Sequence, residues 1–220
     1  MLQPYDCLIV ANGSFPALPA ALDLLKKAST IIACDGAVES LHQRGFAPAA
    51  IVGDLDSIPD ALRLRYADRL HREAEQDTND LTKAVHFACA SGLADALILG
   101  ATGLREDHTI ANVSLLLDYA RLLRRVEMLS DYGLFTPILR SATLKSIKGQ
   151  QVSIFSPHPG VEITDTAGLR WAIRGKSLTS WWQGSLNEAL GEAFTLTLSG
   201  GGVIVYRQLP TQLITFAGER

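Results

Sequence analysis

Residues 1–131 read as an α/β unit, a doubly wound and mostly parallel sheet with helices on both faces, and residues 132–220 as an all-β sandwich. Three features of the chain support this. Short, near-continuously apolar runs alternate with amphipathic stretches of helical length up to about Asp131. Acidic and glycine residues collect where the apolar runs stop. Beyond Asp131 the segments become short, β-rich and often alternating, and Gly or Pro punctuates them.

In chain order, the apolar runs are CLIVAN (7–12), TIIACD (30–35), AAIVGD (49–54), DALILG (95–100) and VEMLSD (126–131). Each is predicted as a strand buried on both faces. Between them, residues 16–28, 37–45, 59–70, 79–92 and 107–125 show helical spacing, with Gly45 and Gly92 at the positions of helix C-caps. Such alternation implies a parallel sheet with crossover helices. In the second half the predicted strands are TLKSI (143–147), QQVSIFS (150–156), VEITDT (161–166), LRWAI (169–173), AFTLTLSGGGVIVYRQ (193–208) and LITFAG (213–218).

Composition narrows the function. The 220 residues are 47% hydrophobic and 20% charged, with a net charge of −3, and no Lys/Arg run offers a nucleic-acid surface. No apolar stretch approaches the roughly 18–20 residues that span a bilayer, so no membrane partner is expected. The first residues lack a basic region and a small-residue cleavage site, and a cytoplasmic location is the expectation. Cys7, Cys34 and Cys89 are odd in number and sit in apolar contexts, which predicts reduced core thiols.

Chemistry is expected at the carboxyl ends of the first-half strands, where open α/β sheets bind ligands. GDLDS (53–57) places Asp54 and Asp56 one residue apart. In extended chain they share a face, about 5–6 Å apart, and repel by roughly 3 kcal/mol at an effective dielectric near 20. A divalent cation removes that cost. A competing reading makes Asp56 or Ser57 the cap of the helix that follows, which leaves Asp54 unexplained. In EQDTNDLTKA (75–84), Asp77 is placed to cap a helix, and Asp80, Thr82 and Lys83 offer a metal ligand, a hydroxyl and a cation in its first turn. LGATGLREDHTIAN (99–112) joins a strand to a helix through Gly100 and Gly103, and crowds Arg105, Asp107, His108 and Asn112 into one anion-binding turn. It matches neither a Walker loop nor G-x-G-x-x-G.

Taken in order, CDGA (34–37), GDLDS (53–57), QDTND (76–80), GATGLREDHTIAN (100–112) and GLRW (168–171) resemble the motifs of the thiamine pyrophosphokinase family. The resemblance implies an α/β domain followed by a β-sandwich, and transfer of a pyrophosphoryl group from ATP to thiamine, giving thiamine diphosphate and AMP by attack at the β-phosphorus. It implies Mg²⁺ on Asp54, Asp56 and Asp80, with Asp77 a fourth candidate. Asp35, Thr82, Lys83, Thr102, Arg105, His108 and Asn112 then belong to the nucleotide site. Asp107 lies near thiamine, and Asp107 or Asp80 is the candidate base. Trp171, ahead of Trp181 and Trp182, is expected to stack on the vitamin, with Ser185 or Asn187 as a polar contact. The resemblance further implies a homodimer with the site at its interface. This chain departs from the family pattern at Ala37, Leu104 and Leu186, where Gly, Gly and Ser are usual. The rival readings are a pyrophosphokinase for a pterin-like alcohol and a non-catalytic thiamine- or nucleotide-binding regulator.

Overall fold

The computed structural model describes residues 4–210. Strands β1 (Cys7–Val10), β2 (Ile31–Cys34), β3 (Ala50–Gly53), β5 (Asp95–Leu99) and β6 (Arg125–Leu129) form where the apolar runs place them. The three-residue β4 (Leu70–Arg72) is too short to carry a pattern. These six strands are parallel, in the order β6-β5-β1-β2-β3-β4.

Alternate residues of each strand enter two separate cores. Cys7, Ile9, Ile32, Ile98 and Met128 meet helices α4 (Asp80–Ala90), α5 (Glu106–Ser114) and α6 (Leu116–Leu122). Leu8, Val10, Ala33, Ile51 and Leu97 meet α1 (Pro19–Lys27), α2 (Ala37–Gln43) and α3 (Asp60–Arg65) on the opposite face. Gly45 and Gly92 follow α2 and α4 at φ +79° and +76°, where a side chain would be strained. The helix expected over 107–125 is two helices. The Ser114 hydroxyl donates to the Ala111 carbonyl at 2.7 Å, and such back-bonding bends a helix at the point where α5 ends.

The large sheet does not stop at residue 131. Strand β7 (Gly133–Ile138), disguised in the sequence by Pro137, pairs antiparallel with β6. The sheet continues through β14 (Val203–Gln208), β9 (Gln151–Phe155) and β12 (Asn187–Glu188) to ten strands among the described residues. A second, four-stranded antiparallel sheet contains β8 (Ala142–Lys145), β10 (Glu162–Ala167), β11 (Lys176–Ser177) and β13 (Ala193–Ser199). Val152, Ile154, Val203 and Val205 of the large sheet share one core with Ile163, Phe194 and Leu196 of the small one. The run 193–208 is two strands, and the chain changes sheets across Gly200–Gly202.

The expected strand 169–173 is loop. Leu169 makes only an isolated bridge to Ala189, and the Asn187 side chain takes the place of a neighbouring strand by bonding the Trp171 backbone. The predicted strand at 213–218 lies outside the described residues. Cys7 and Cys34 are buried as expected, but Cys89 is exposed at the end of α4, with its thiol on the Leu122 carbonyl. Among the described residues no helix is long and apolar enough to cross a membrane.

Candidate active site

Because β1, β2, β3 and β5 run parallel and in register, their carboxyl ends share one rim. There Asn12, Asp35, Asp54 and the loop after Gly100 surround a cleft of about 460 Å³, closed on one side by Asp80 and Lys83 of α4. Gly13 lets two loops touch. Its N–H donates to the Gly100 carbonyl at 2.7 Å, and a β-carbon there would lie 2.5 Å from that oxygen.

The carboxylates of Asp35, Asp54 and Asp56 converge, with one oxygen from each within 4.8 Å of the others. The acid pair shares the site through a turn, not through extended chain. Strand β3 ends at Gly53, Leu55 turns left-handed at φ +68°, and the Asp56 N–H donates back to Asp54 Oδ1 at 3.2 Å. Leu55 is buried under the loop, and Arg63 binds its carbonyl, which holds the strained turn in place. Neither Asp56 nor Ser57 caps α3, whose N-cap position is Pro59. Ser57 instead donates its N–H to Asp35 Oδ2 at 3.3 Å and its hydroxyl to Asp56 Oδ1 at 2.9 Å.

Asp35 is 4% exposed and left-handed at φ +38°, and its Oδ1 has no hydrogen-bond partner among the described residues. Burial raises its pKa, and the charges of Asp80 and Asp54 push the same way. Asp54 is held low, first by the Asp56 N–H. A buried, unsatisfied carboxylate oxygen costs about 1–3 kcal/mol, and three converging carboxylates are the oxygen set that a hard divalent cation takes. Asp80 adjoins this group, since a β-carbon on Gly53 would lie 2.9 Å from Asp35 Cβ and 3.2 Å from Asp80 Oδ1. Asp80 also pairs with the buried Lys83 ammonium at 3.3 Å.

Asn79, not Asp77, caps α4. Its Oδ1 accepts from the Thr82 N–H at 2.9 Å and from the Thr82 hydroxyl at 2.8 Å. Thr82 also bonds the Tyr119 hydroxyl at 2.7 Å, so it faces the core and does not line the cleft. Asp77 does not line it either, and its N–H is held by Glu75. Asn112 is buried and ties the glycine turn to α4, donating to the Ala101 carbonyl at 2.9 Å and accepting from Asn79 at 3.0 Å. Leu104 keeps a left-handed φ of +62° and stands 76% exposed at the rim. Thr102 faces the neighbouring cavity, and its carbonyl accepts from the Ser14 N–H. Arg105 grips Asp107 with two hydrogen bonds and pulls the carboxyl down to about 2, which makes Asp107 a poor base at neutral pH. His108 lines the cleft and is exposed.

The second-half candidates lie elsewhere. Trp171 is 56% exposed, so it is not a core residue, and the Arg170 guanidinium sits 5.5 Å from its ring. The buried Asn187 fixes its backbone, accepting from the Trp171 N–H at 3.1 Å and donating to its carbonyl at 2.7 Å. The Ser185 hydroxyl donates to the Trp182 carbonyl, and Leu186 is left-handed and exposed. Trp181 packs on Phe155 at 5.6 Å. None of these lines the cleft of its own chain. Ser57, Gln76 and Asn79 line the cleft without having been expected there. Asn79 carried a local signal, an N-cap residue directly before a helical run, and the signal at Ser57 read only as a helix cap.

Residues 21–128 match the family model described as thiamin pyrophosphokinase, catalytic domain, and residues 133–206 match thiamin pyrophosphokinase, substrate-binding domain. Thiamine pyrophosphokinase 1 of Oryza sativa subsp. japonica is 30% identical over 149 residues, 61% of this chain and 56% of its own. Thiamine pyrophosphokinase of Bacillus subtilis is 33% identical over 112 residues, 49% of this chain and 52% of its own. The chain thus spans about half the length of the curated relatives it matches. The crystal structure of yeast thiamin pyrophosphokinase superposes with a TM-score of 0.76 at 15% identity, covering 98% of this chain and 90% of that one, a likeness of fold. With both parts of one family's pattern found in order along it, the chain belongs to the thiamin pyrophosphokinase family.

Proposed function

We propose that this chain transfers a pyrophosphoryl group from ATP to the hydroxyethyl oxygen of thiamine, with Mg²⁺, releasing AMP and thiamine diphosphate by attack at the β-phosphorus. The observation that carries the reading is the convergence of Asp35, Asp54 and Asp56 around a buried, unsatisfied oxygen at the rim of a parallel sheet. Asp35, Asp54 and Asp56 would hold the metal, with Asp80 beside them. When bound, Mg²⁺ neutralises polyphosphate charge and orients the donor.

The chain's own groups supply the rest. Lys83 presents a desolvated ammonium to the cleft, where its attraction for phosphate oxygens is stronger than in water. The backbone N–H groups of Thr102, Gly103 and Leu104 donate to no protein oxygen among the described residues, which suits an anion. Arg105, already charge-paired, orients Asp107 toward the alcohol substrate. Positioning and charge neutralisation carry most of such a reaction.

We read the first half as the doubly wound nucleotide domain and the second as a sandwich that binds thiamine. The working form is then a cytoplasmic homodimer in which Trp171 of one protomer serves the partner's cleft. The exposure of Trp171 and its absence from its own chain's cleft support this. The test is one assay with purified chain, Mg²⁺, ATP and thiamine. Thiamine diphosphate and AMP should form in equal amounts with no ADP. Formation of ADP and thiamine monophosphate would overturn the β-phosphorus assignment, and binding without turnover would make the protein a regulator.

A further inference from the structure

A line of hydrogen bonds runs from the core into the cleft and joins two of its walls. It starts at Tyr119 on α6, whose hydroxyl lies 2.7 Å from that of Thr82 on α4. The Thr82 hydroxyl reaches Asn79 Oδ1 at 2.8 Å, and Asn79 Nδ2 reaches Asn112 Oδ1 on α5 at 3.0 Å. Asn112 Nδ2 then reaches the Ala101 carbonyl at 2.9 Å. Three helices and the glycine turn are tied together by these bonds.

The direction of each bond is fixed by the groups at the ends. The Thr82 backbone N–H, which can only donate, meets the same Asn79 atom at 2.9 Å, so that atom is the oxygen. The Ala101 carbonyl can only accept, so the Asn112 atom beside it is the nitrogen. A threonine hydroxyl has one hydrogen, and Asn79 receives it, which leaves Tyr119 as the donor to Thr82. All the donors therefore point one way, from Tyr119 to the turn, and hydrogen bonds aligned head to tail strengthen one another. Burial raises the Tyr119 pKa, which keeps the hydroxyl a donor at neutral pH.

Asn79 caps α4, whose first turn carries Asp80, beside the converging carboxylates, and the buried Lys83. Asn112 holds the facing wall, the turn that begins at Gly100. Asn79 and Asn112 line the cleft, whereas Tyr119 and Thr82 are buried and stand outside its lining. Leu81, Val85, Val113 and Leu116 already share one apolar core, and such burial is non-directional. The bonded line adds what packing lacks, a set distance between α4 and the turn.

We infer that Tyr119 and Thr82 are positioning residues for the transfer: they act through Asn79 and Asn112 to fix the wall that carries Asp80 and Lys83 against the anion-binding turn. This role rests on the phosphotransfer reading above. A small shift between the two walls spoils the alignment of the reacting groups, so kcat should respond and the KM for thiamine should not.

Two changes at residue 82, assayed well below each variant's melting temperature, separate positioning from packing. Thr82→Val keeps the shape and removes the hydroxyl, so kcat should fall roughly three- to tenfold, the range of one hydrogen bond, with the thiamine KM within about twofold. Thr82→Ser keeps the hydroxyl and deletes a core methyl, so the melting temperature should fall while kcat stays within about twofold. Wild-type kcat in Thr82→Val, or a larger loss in Thr82→Ser, would overturn the role. Tyr119→Phe should lower kcat about threefold in the wild-type chain and by less once Thr82 is valine, because Tyr119 acts through Thr82. Fully additive losses would overturn that order of action, and Tyr119→Phe reads the role by itself if Thr82→Val fails to fold.

The Asn112 side-chain amide signals in an NMR spectrum should also move in Thr82→Val, although Asn79 stands between the two residues; unmoved signals would show that the line transmits nothing. A wild-type chain that makes thiamine diphosphate no faster than Thr82→Val loses only this inference. One that makes none loses the phosphotransfer reading, and this inference with it.

Discussion

Arg105 holds the Asp107 carboxylate in a two-pronged grip, with Nε to Oδ1 at 3.1 Å and Nη2 to Oδ2 at 2.6 Å. The folded-state pKa of about 2 lies below the ordinary value, so the pair favours the fold above the unfolded pKa and the benefit is lost as pH falls toward 2. Both groups are exposed, so the effect on stability is slight. Arg105→Gln should move the Asp107 midpoint, followed by carboxyl NMR, from about 2 up toward about 4. An unmoved midpoint would show that Arg105 does not set it.

Asp54→Asn and Asp56→Asn should each reduce turnover by at least roughly a hundredfold. The melting temperature should hold or rise, because each change removes a like charge from the cluster. Near-normal turnover in both variants would leave these acids as turn residues only.

Asp35 bears the opposite pKa shift. Its folded-state pKa is raised, so the folded chain holds the proton more tightly and stability falls as pH rises through that window. Asp35→Asn should therefore melt higher than wild type near neutral pH without metal, and lose that advantage in acid. Mg²⁺ should raise the melting temperature of wild type and not of the variant. A wild-type chain indifferent to Mg²⁺ would remove Asp35 from the metal site.

Trp171→Ala should raise the KM for thiamine roughly five- to a hundredfold, leave that for ATP nearly unchanged, and leave the melting temperature alone because the ring is 56% exposed. Trp171→Phe should retain part of the affinity. Mixing Trp171→Ala with Asp56→Asn should restore activity through hybrid dimers if the two halves of the site come from different protomers. Unaltered thiamine kinetics would move the role to Trp181 or Trp182.

Leu104 sits at φ +62° with its side chain in solvent. A left-handed leucine costs roughly 1–2 kcal/mol, partly offset on replacement by the greater freedom of glycine when unfolded. Leu104→Gly should thus stabilise by about 0.5–1 kcal/mol, a rise of roughly 1–4 °C. A lower melting temperature would mean that the leucine makes a contact this geometry lacks.

Much of this was legible in the sequence because it depends on short-range pattern. Continuous apolar runs marked the parallel strands, and their acidic and glycine endings marked the rim. What was hidden depended on partners far away in the chain. Strand β7 is held by β14, some seventy residues on, and Pro137 masks it. Thr82 looked like a phosphate ligand from its place at the start of α4, but Tyr119, 37 residues later, takes its hydroxyl. The turn at Leu55 follows from burial of Leu55 and from Arg63 on its carbonyl, neither of which a spacing rule contains.

The antiparallel seam between β6 and β7 has a mechanical meaning. Glu127 on β6 accepts hydrogen bonds from Tyr5 at 2.7 Å and from Thr136 on β7 at 2.5 Å and forms an ion pair with Arg207 on β14 at 3.6 Å, so the seam is braced across three strands. A plank stitched in this way offers no pivot. The two halves of the chain are therefore joined along one continuous sheet, and bending them apart would break these contacts first. Severing the chain at the seam would also leave two raw strand edges, each ready to pair with the wrong neighbour, so neither half is a self-sufficient part to be borrowed alone.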